Sequence, residues 1–75
     1  MAKIEVTSEV TGIVWKVQAK VGDVLAEEDV IMILESMKME IAILAPEAGR
    51  VKKQLLREGA RVSAGQSLLI LEALS

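Results

Sequence analysis

The chain has 75 residues, a formal net charge of −2 and a pI near 5.1, and is 52% hydrophobic; it reads as one small domain, residues 1–75, whose core is marginal unless the fold is very regular. It has no Cys and no His, which removes disulfide staples, Cys-based zinc sites and the usual neutral-pH proton shuttle, so neither a self-contained enzyme nor a metal centre is expected and cytoplasm is the default location. Trp15 is the only aromatic residue and no apolar run approaches a membrane span, so neither nucleic acid nor membrane is an expected partner, and the domain is expected to be monomeric.

In chain order, punctuation and period predict eight short strands. The first covers residues 4–8; the second, 11–19, is the β-rich run "TGIVWKVQA" with Gly12 at its start. "VGD" (21–23) is a turn, residues 24–26 a short strand, and "VIMILES" (30–36) a near-continuous apolar run of strand length. After a tight connection, strands follow at 39–45 and 48–57, then the turn "EGA" (58–60) and strands at 61–63 and 67–73. A long helix over 25–44 is the competing reading, because the segment is rich in Leu, Met, Glu, Lys and Ala. Its apolar positions form no single stripe of period 3.6, which argues against it.

A repeat supports the strands. Sliding the sequence by 37 positions lays residues 11–35 over 48–72 without a gap, matching Gly12 with Gly49, Val14 with Val51, Lys16 with Lys53, Gly22 with Gly59 and the triplet Ile33, Leu34, Glu35 with Ile70, Leu71, Glu72. The segment that could be a helix then falls on one containing Gly59, Gly65 and Ser67, where a helix is not favoured. The predicted fold is all-β: a flattened barrel or sandwich of two four-stranded antiparallel sheets, with two four-strand halves related by a pseudo-twofold. Lys38 is the midpoint of the chain, so the connection between the halves carries it, and the chain ends are expected at the opposite pole.

That connection is chemically odd. A two-residue loop of Met37 and Lys38 needs positive φ at both positions, where Asn-Gly would be usual, and such strain persists mainly where function demands it. A lone lysine is most often a solvated charge that keeps a sheet edge soluble. Methionine on either side, Met37 and Met39, makes the tip an adaptable apolar contact instead.

The run Glu35-Ser36-Met37-Lys38-Met39-Glu40 resembles the E-A/S-M-K-M motif of biotinyl domains, the carrier modules of biotin-dependent carboxylases. Lys20-Val21-Gly22-Asp23-Val24 is similar to the family's K-x-G-D-x-V turn, with Leu25 in its last place, and Ala45-Pro46-Glu47-Ala48-Gly49-Arg50-Val51 to its A-P-x-x-G-x-V segment. The resemblance covers nearly the whole chain and implies the biotinyl/lipoyl fold, or barrel-sandwich hybrid, in its thumbless form, since the gapless repeat leaves no room for an insertion. It implies that Lys38 accepts biotin from a biotin protein ligase and carries carboxyl groups between a biotin carboxylase and a carboxyltransferase, with Met37 and Met39 read by the ligase and Glu35, Ser36 and Glu40 as flanking motif residues. Glu35 and Glu40 could also steer docking through charge.

Two readings stand beside it. Lipoyl domains place their lysine at the same tip, usually between Asp and Ala, so lipoate is the alternative cofactor; a small β-barrel binding module without cofactor is the other. Departures from the family pattern are expected to lie away from the tip: Ser8-Glu9-Val10-Thr11-Gly12 replaces Ala-Pro-Met before the first repeat glycine, Glu28 stands where the second half has Gly65, and Gln54 matches Val17 at an expected core place. Trp15 is read as a half-exposed strand residue because its repeat mate is Lys52.

Overall fold

The apolar runs become eight strands in the computed structural model, which describes residues 2–74. They are β1 (Lys3–Thr7), β2 (Gly12–Val17), β3 (Val24–Leu25), β4 (Val30–Ser36), β5 (Met39–Leu44), β6 (Gly49–Gln54), β7 (Arg61–Val62) and β8 (Ser67–Ala73). Shifted by 37, β2, β3 and β4 fall on β6, β7 and β8 with identical bounds, so the repeat is structural. Two antiparallel sheets form, in the orders β1-β8-β6-β3 and β5-β4-β2-β7. Each sheet takes two strands from each half, so the halves interlock and neither is a sheet by itself.

The core follows the repeat as well. Ile31, Met32 and Leu34 of β4 and their mates Leu68, Leu69 and Leu71 of β8 are buried, as are Val14 with Val51 and Leu25 with Val62. Each such side chain contributes on the order of 1.5–3 kcal/mol relative to leaving it in water, which a 75-residue domain needs to offset the entropy of ordering its backbone. β2 and β6 are shorter than the sequence suggests, ending at Val17 and Gln54 rather than at 19 and 57. The reason is local: the N–H groups of Gln18 and Ala19 both donate to the Ile31 carbonyl, so the chain there leaves the regular ladder. On the other half Gln54 Nε2 donates to the Leu56 carbonyl at 2.8 Å, which gives this half-buried polar mate of Val17 its partner.

Glycine lets strands approach at two equivalent places. A Cβ on Gly12 would run into the carbonyl oxygen of Glu35, and one on Gly49 would lie 2.8 Å from the carbonyl oxygen of Glu72. Ser8, buried like its mate Ala45, is accommodated because its Oγ donates to the Val10 carbonyl at 2.6 Å and accepts from Val10 N–H at 3.2 Å.

Candidate functional site

The register of β4 and β5 dictates the site. Glu35 faces Glu40 and Ser36 faces Met39, which leaves Met37 and Lys38 as a two-residue connection. Their φ angles are +51° and +66°, the left-handed pair that a tight hairpin needs to follow the twist of its strands. Neither residue is glycine, so each bears a steric cost of about 1–2 kcal/mol. Three contiguous side chains, Met37, Lys38 and Met39, are exposed, Met37 at 92% and Met39 at 64%.

The apex stands on a braced base. Ser36 Oγ donates to the Thr11 carbonyl at 2.7 Å, and Thr11 Oγ1 accepts from Ala64 N–H at 3.1 Å, so the hairpin is tied through the β1–β2 loop to the β7–β8 loop. Gly12 completes the brace by letting β2 press against the backbone at Glu35. Ser36 was legible as a motif residue; the stretch 8–12, expected to lie away from the tip, instead supplies Thr11 and Gly12 to its base, through long-range pairing that leaves no local signature. From the base, β8 carries the chain seven residues away, about 20 Å at roughly 3.3 Å per residue, to Ala73, whose N–H donates to the Ala2 carbonyl. The sequence expectation for the extreme ends, Met1 and Ser75, falls on residues outside the described range.

The other predicted site residues gather at the hairpin end. Glu35 and Glu40 are exposed and directly opposite each other, beside the apex. Among the described residues the one ion pair is Lys52 Nζ to Glu72 Oε1 at 3.8 Å, so neither glutamate nor Lys38 is held by an opposite charge. No group of three or more Asp, Glu, His or Cys among the described residues is placed to hold a metal ion. A groove of about 520 Å³ between the β1 and β5 edges, lined by Glu5, Glu9, Val10, Ile41 and Ile43 among others, contains none of the motif residues 35–40. Lys38 therefore stands outside the groove, and the geometry suits display of a long group from the tip.

The family described as "Biotin-requiring enzyme" matches residues 4–71. The chain is 44% identical over 64 residues to a biotin/lipoyl attachment protein of Bacillus subtilis, covering 85% of this chain and 88% of that protein. It is 40% identical over 67 residues to the dihydrolipoyllysine-residue acetyltransferase component of the pyruvate dehydrogenase complex of Haemophilus influenzae, covering 89% of this chain and 12% of that protein. Its structure is similar to part of the urea carboxylase of Kluyveromyces lactis, with a TM-score of 0.90 and 35% identity, covering 96% of this chain and 6% of that one.

Proposed function

The chain belongs to the biotin/lipoyl attachment family, and from that premise we propose that it is the biotin carrier of a biotin-dependent carboxylase, with Lys38 as the point of attachment. The observation that carries this reading is the apex itself: a strained, exposed Met37-Lys38-Met39 tip on a braced hairpin, with the amine clear of any ion pair. The similarity to a urea carboxylase supports a carboxylase setting, while the matches that span only 12% and 6% of larger proteins leave the parent assembly a proposal. Residues 1–75 are proposed to form one attachment domain, working as a monomer in the cytoplasm; among the described residues no helix is long and apolar enough to cross a membrane.

In this reading the Lys38 amine, once deprotonated, attacks the carbonyl of a biotin carboxylate activated as an acyl adenylate, forms an amide and releases AMP. A separate biotin protein ligase supplies the ATP-dependent activation and removes the proton. Biotin supplies a ureido nitrogen that takes up and gives back a carboxyl group. The domain's own share is positional: Ser36, Thr11 and Gly12 hold the hairpin, Met37 and Met39 give the ligase an adaptable apolar grip, and the tether raises the local concentration of the cofactor at a biotin carboxylase and then at a carboxyltransferase.

Incubation with biotin protein ligase, biotin and ATP should add one biotinyl group, mapped by peptide mass to Lys38; biotin on Lys20, Lys52 or any other lysine overturns the assignment. The 40% identity to the acetyltransferase component gives the lipoyl reading its support. The two methionines weigh against it, because a lipoyl tip usually carries Asp and Ala there. Exchanging them, Met37→Asp with Met39→Ala, should slow biotinylation and favour lipoylation; unchanged biotinylation rates would show that the methionines are not what the ligase reads.

A further inference from the structure

The pseudo-twofold makes each sheet a control for the other, because mated positions answer to the same backbone. On the outer face of the β1-β8-β6-β3 sheet, Glu72 lies between Lys3 and Arg50 by register and pairs with Lys52. Three cations surround one acid. On the outer face of the other sheet the mates of these four residues are Glu35 for Glu72, Glu40 for Lys3, Ile13 for Arg50 and Trp15 for Lys52. The acid is kept and each of its cations is replaced, one by a second acid and two by large apolar side chains. The cations nearest by register, Lys16 opposite Ile33 and Arg61 one strand beyond Ile13, form no ion pair.

The fold does not require this. Ile13 and Trp15 are 44% and 51% exposed at places where the mated sheet carries Arg and Lys, and Glu35 opposite Glu40 is a like-charge cross-strand pair, which is unfavourable unless a cation comes from elsewhere. Such a face, with an acidic pair beside large apolar side chains, fits a partner that brings an Arg or Lys to the glutamates and apolar surface to Ile13 and Trp15. It adjoins the tip: Glu35 is three residues from Lys38, so an enzyme reacting with the Lys38 amine covers it. Enzymes acting at the end of the added arm have no such need.

We propose that the outer face formed by Ile13, Trp15, Glu35 and Glu40 is the docking surface for the protein ligase that modifies Lys38, through an apolar contact at Ile13 and Trp15 and a ligase cation seated at Glu35 and Glu40. This rests on the reading of Lys38 as the biotinylated residue. The fold supplies its own test variants, since the mated face already carries Arg and Lys. Ile13→Arg with Trp15→Lys should raise the KM of a biotin protein ligase for the intact domain by about tenfold or more, with kcat and melting temperature little changed. The mirror variant, Arg50→Ile with Lys52→Trp, should leave KM within about twofold. Glu40→Lys should raise KM and weaken its dependence on KCl, a readout that lost packing would not give.

Wild type that takes no biotin on Lys38 overturns the reading of the tip. Wild type that is biotinylated with a KM shared by the first variant and by Glu40→Lys overturns the docking face alone. If the double variant melts early, Trp15→Lys and Glu40→Lys singly carry the test. Concentration-dependent self-association of wild type that Ile13→Arg abolishes, with ligase KM unchanged, would assign the face to a second copy and overturn the proposal.

Discussion

The hairpin apex and the side turns solve one backbone problem in different ways. Among the described residues, six hold φ in the left-handed region, and three of them, Gly22, Gly59 and Gly65, are glycines in side turns with nothing within 4 Å of where a Cβ would stand. Two of the others, Met37 and Lys38, are adjacent at the apex. The sixth, Glu28, sits in a side turn at the place where the other half has Gly65. Where a turn only reverses the chain, glycine relieves the strain; at the apex the side chains are kept and the strain is borne. Glu28 separates the two cases, because it carries the strain of the apex at the foot of the hairpin, two residues before β4, where its N–H donates to the Ala45 carbonyl.

The sharpest way to break this contrast is to remove the side chain that the apex keeps. Lys38→Ala should abolish biotin incorporation completely and move stability by no more than about 0.5 kcal/mol, since the side chain is exposed and unpaired. Glu28→Ala should leave incorporation at the wild-type level. Intact mass after ligase treatment reads both, and residual biotin on the Lys38→Ala protein would show that the apex is not the only acceptor.

Next in size are the glycines that permit close approach. Gly12→Ala places a methyl against the Glu35 carbonyl in the brace of the hairpin, and should cost roughly 3 kcal/mol, the upper end for overpacking, as a fall in the urea midpoint. Gly49→Ala, against the Glu72 carbonyl at 2.8 Å, should cost somewhat less. A tolerated Gly12→Ala would mean that β2 does not press on the hairpin as described. Smaller again are the side turns. Gly22→Val and Gly59→Val meet open space, so only the left-handed φ resists them, and each should cost about 1–2 kcal/mol. A large difference between the two would contradict the equivalence of the halves.

The strand pattern, the repeat and the position of Lys38 were legible because each rests on local period or on a gapless shift. β3, β4, β7 and β8 fall within a residue of where Gly and apolar runs place them, and the positive φ at Met37 and Lys38 follows from turn length; at Glu28 the Gly65 mate left left-handed strain and another turn type both open, and the structure shows the strain. Three things were not legible. The interlocking of the halves depends on which strands pair across the repeat, and nothing local encodes that. The early ends of β2 and β6 depend on two mated carbonyls, Ile31 and Leu68, which take the N–H groups of Gln18 and Leu55 just past each strand. Thr11 reads as a strand-opening residue, and its link between Ser36 and Ala64 exists only once three distant segments meet.

The smallest effects sharpen the comparison most. Placing glycine at a left-handed position removes a steric cost of about 1–2 kcal/mol but adds roughly 0.5–1 kcal/mol of unfolded-state entropy, so the net change should lie between no change and a gain of about 1.5 kcal/mol. Glu28→Gly should show that gain with biotinylation untouched, because Gly65 already shows what this turn prefers. Met37→Gly should show the same gain, since Met37 is 92% exposed and gives up almost no packing, yet its biotinylation should be slower because the ligase loses an apolar grip. Stability and modification should thus move together at neither site: one rises alone at Glu28, and one rises as the other falls at Met37. Urea midpoints and ligase rates on the two variants read this directly. If Met37→Gly were both more stable and modified at the wild-type rate, the strain at the apex would have no function in the side chain that bears it.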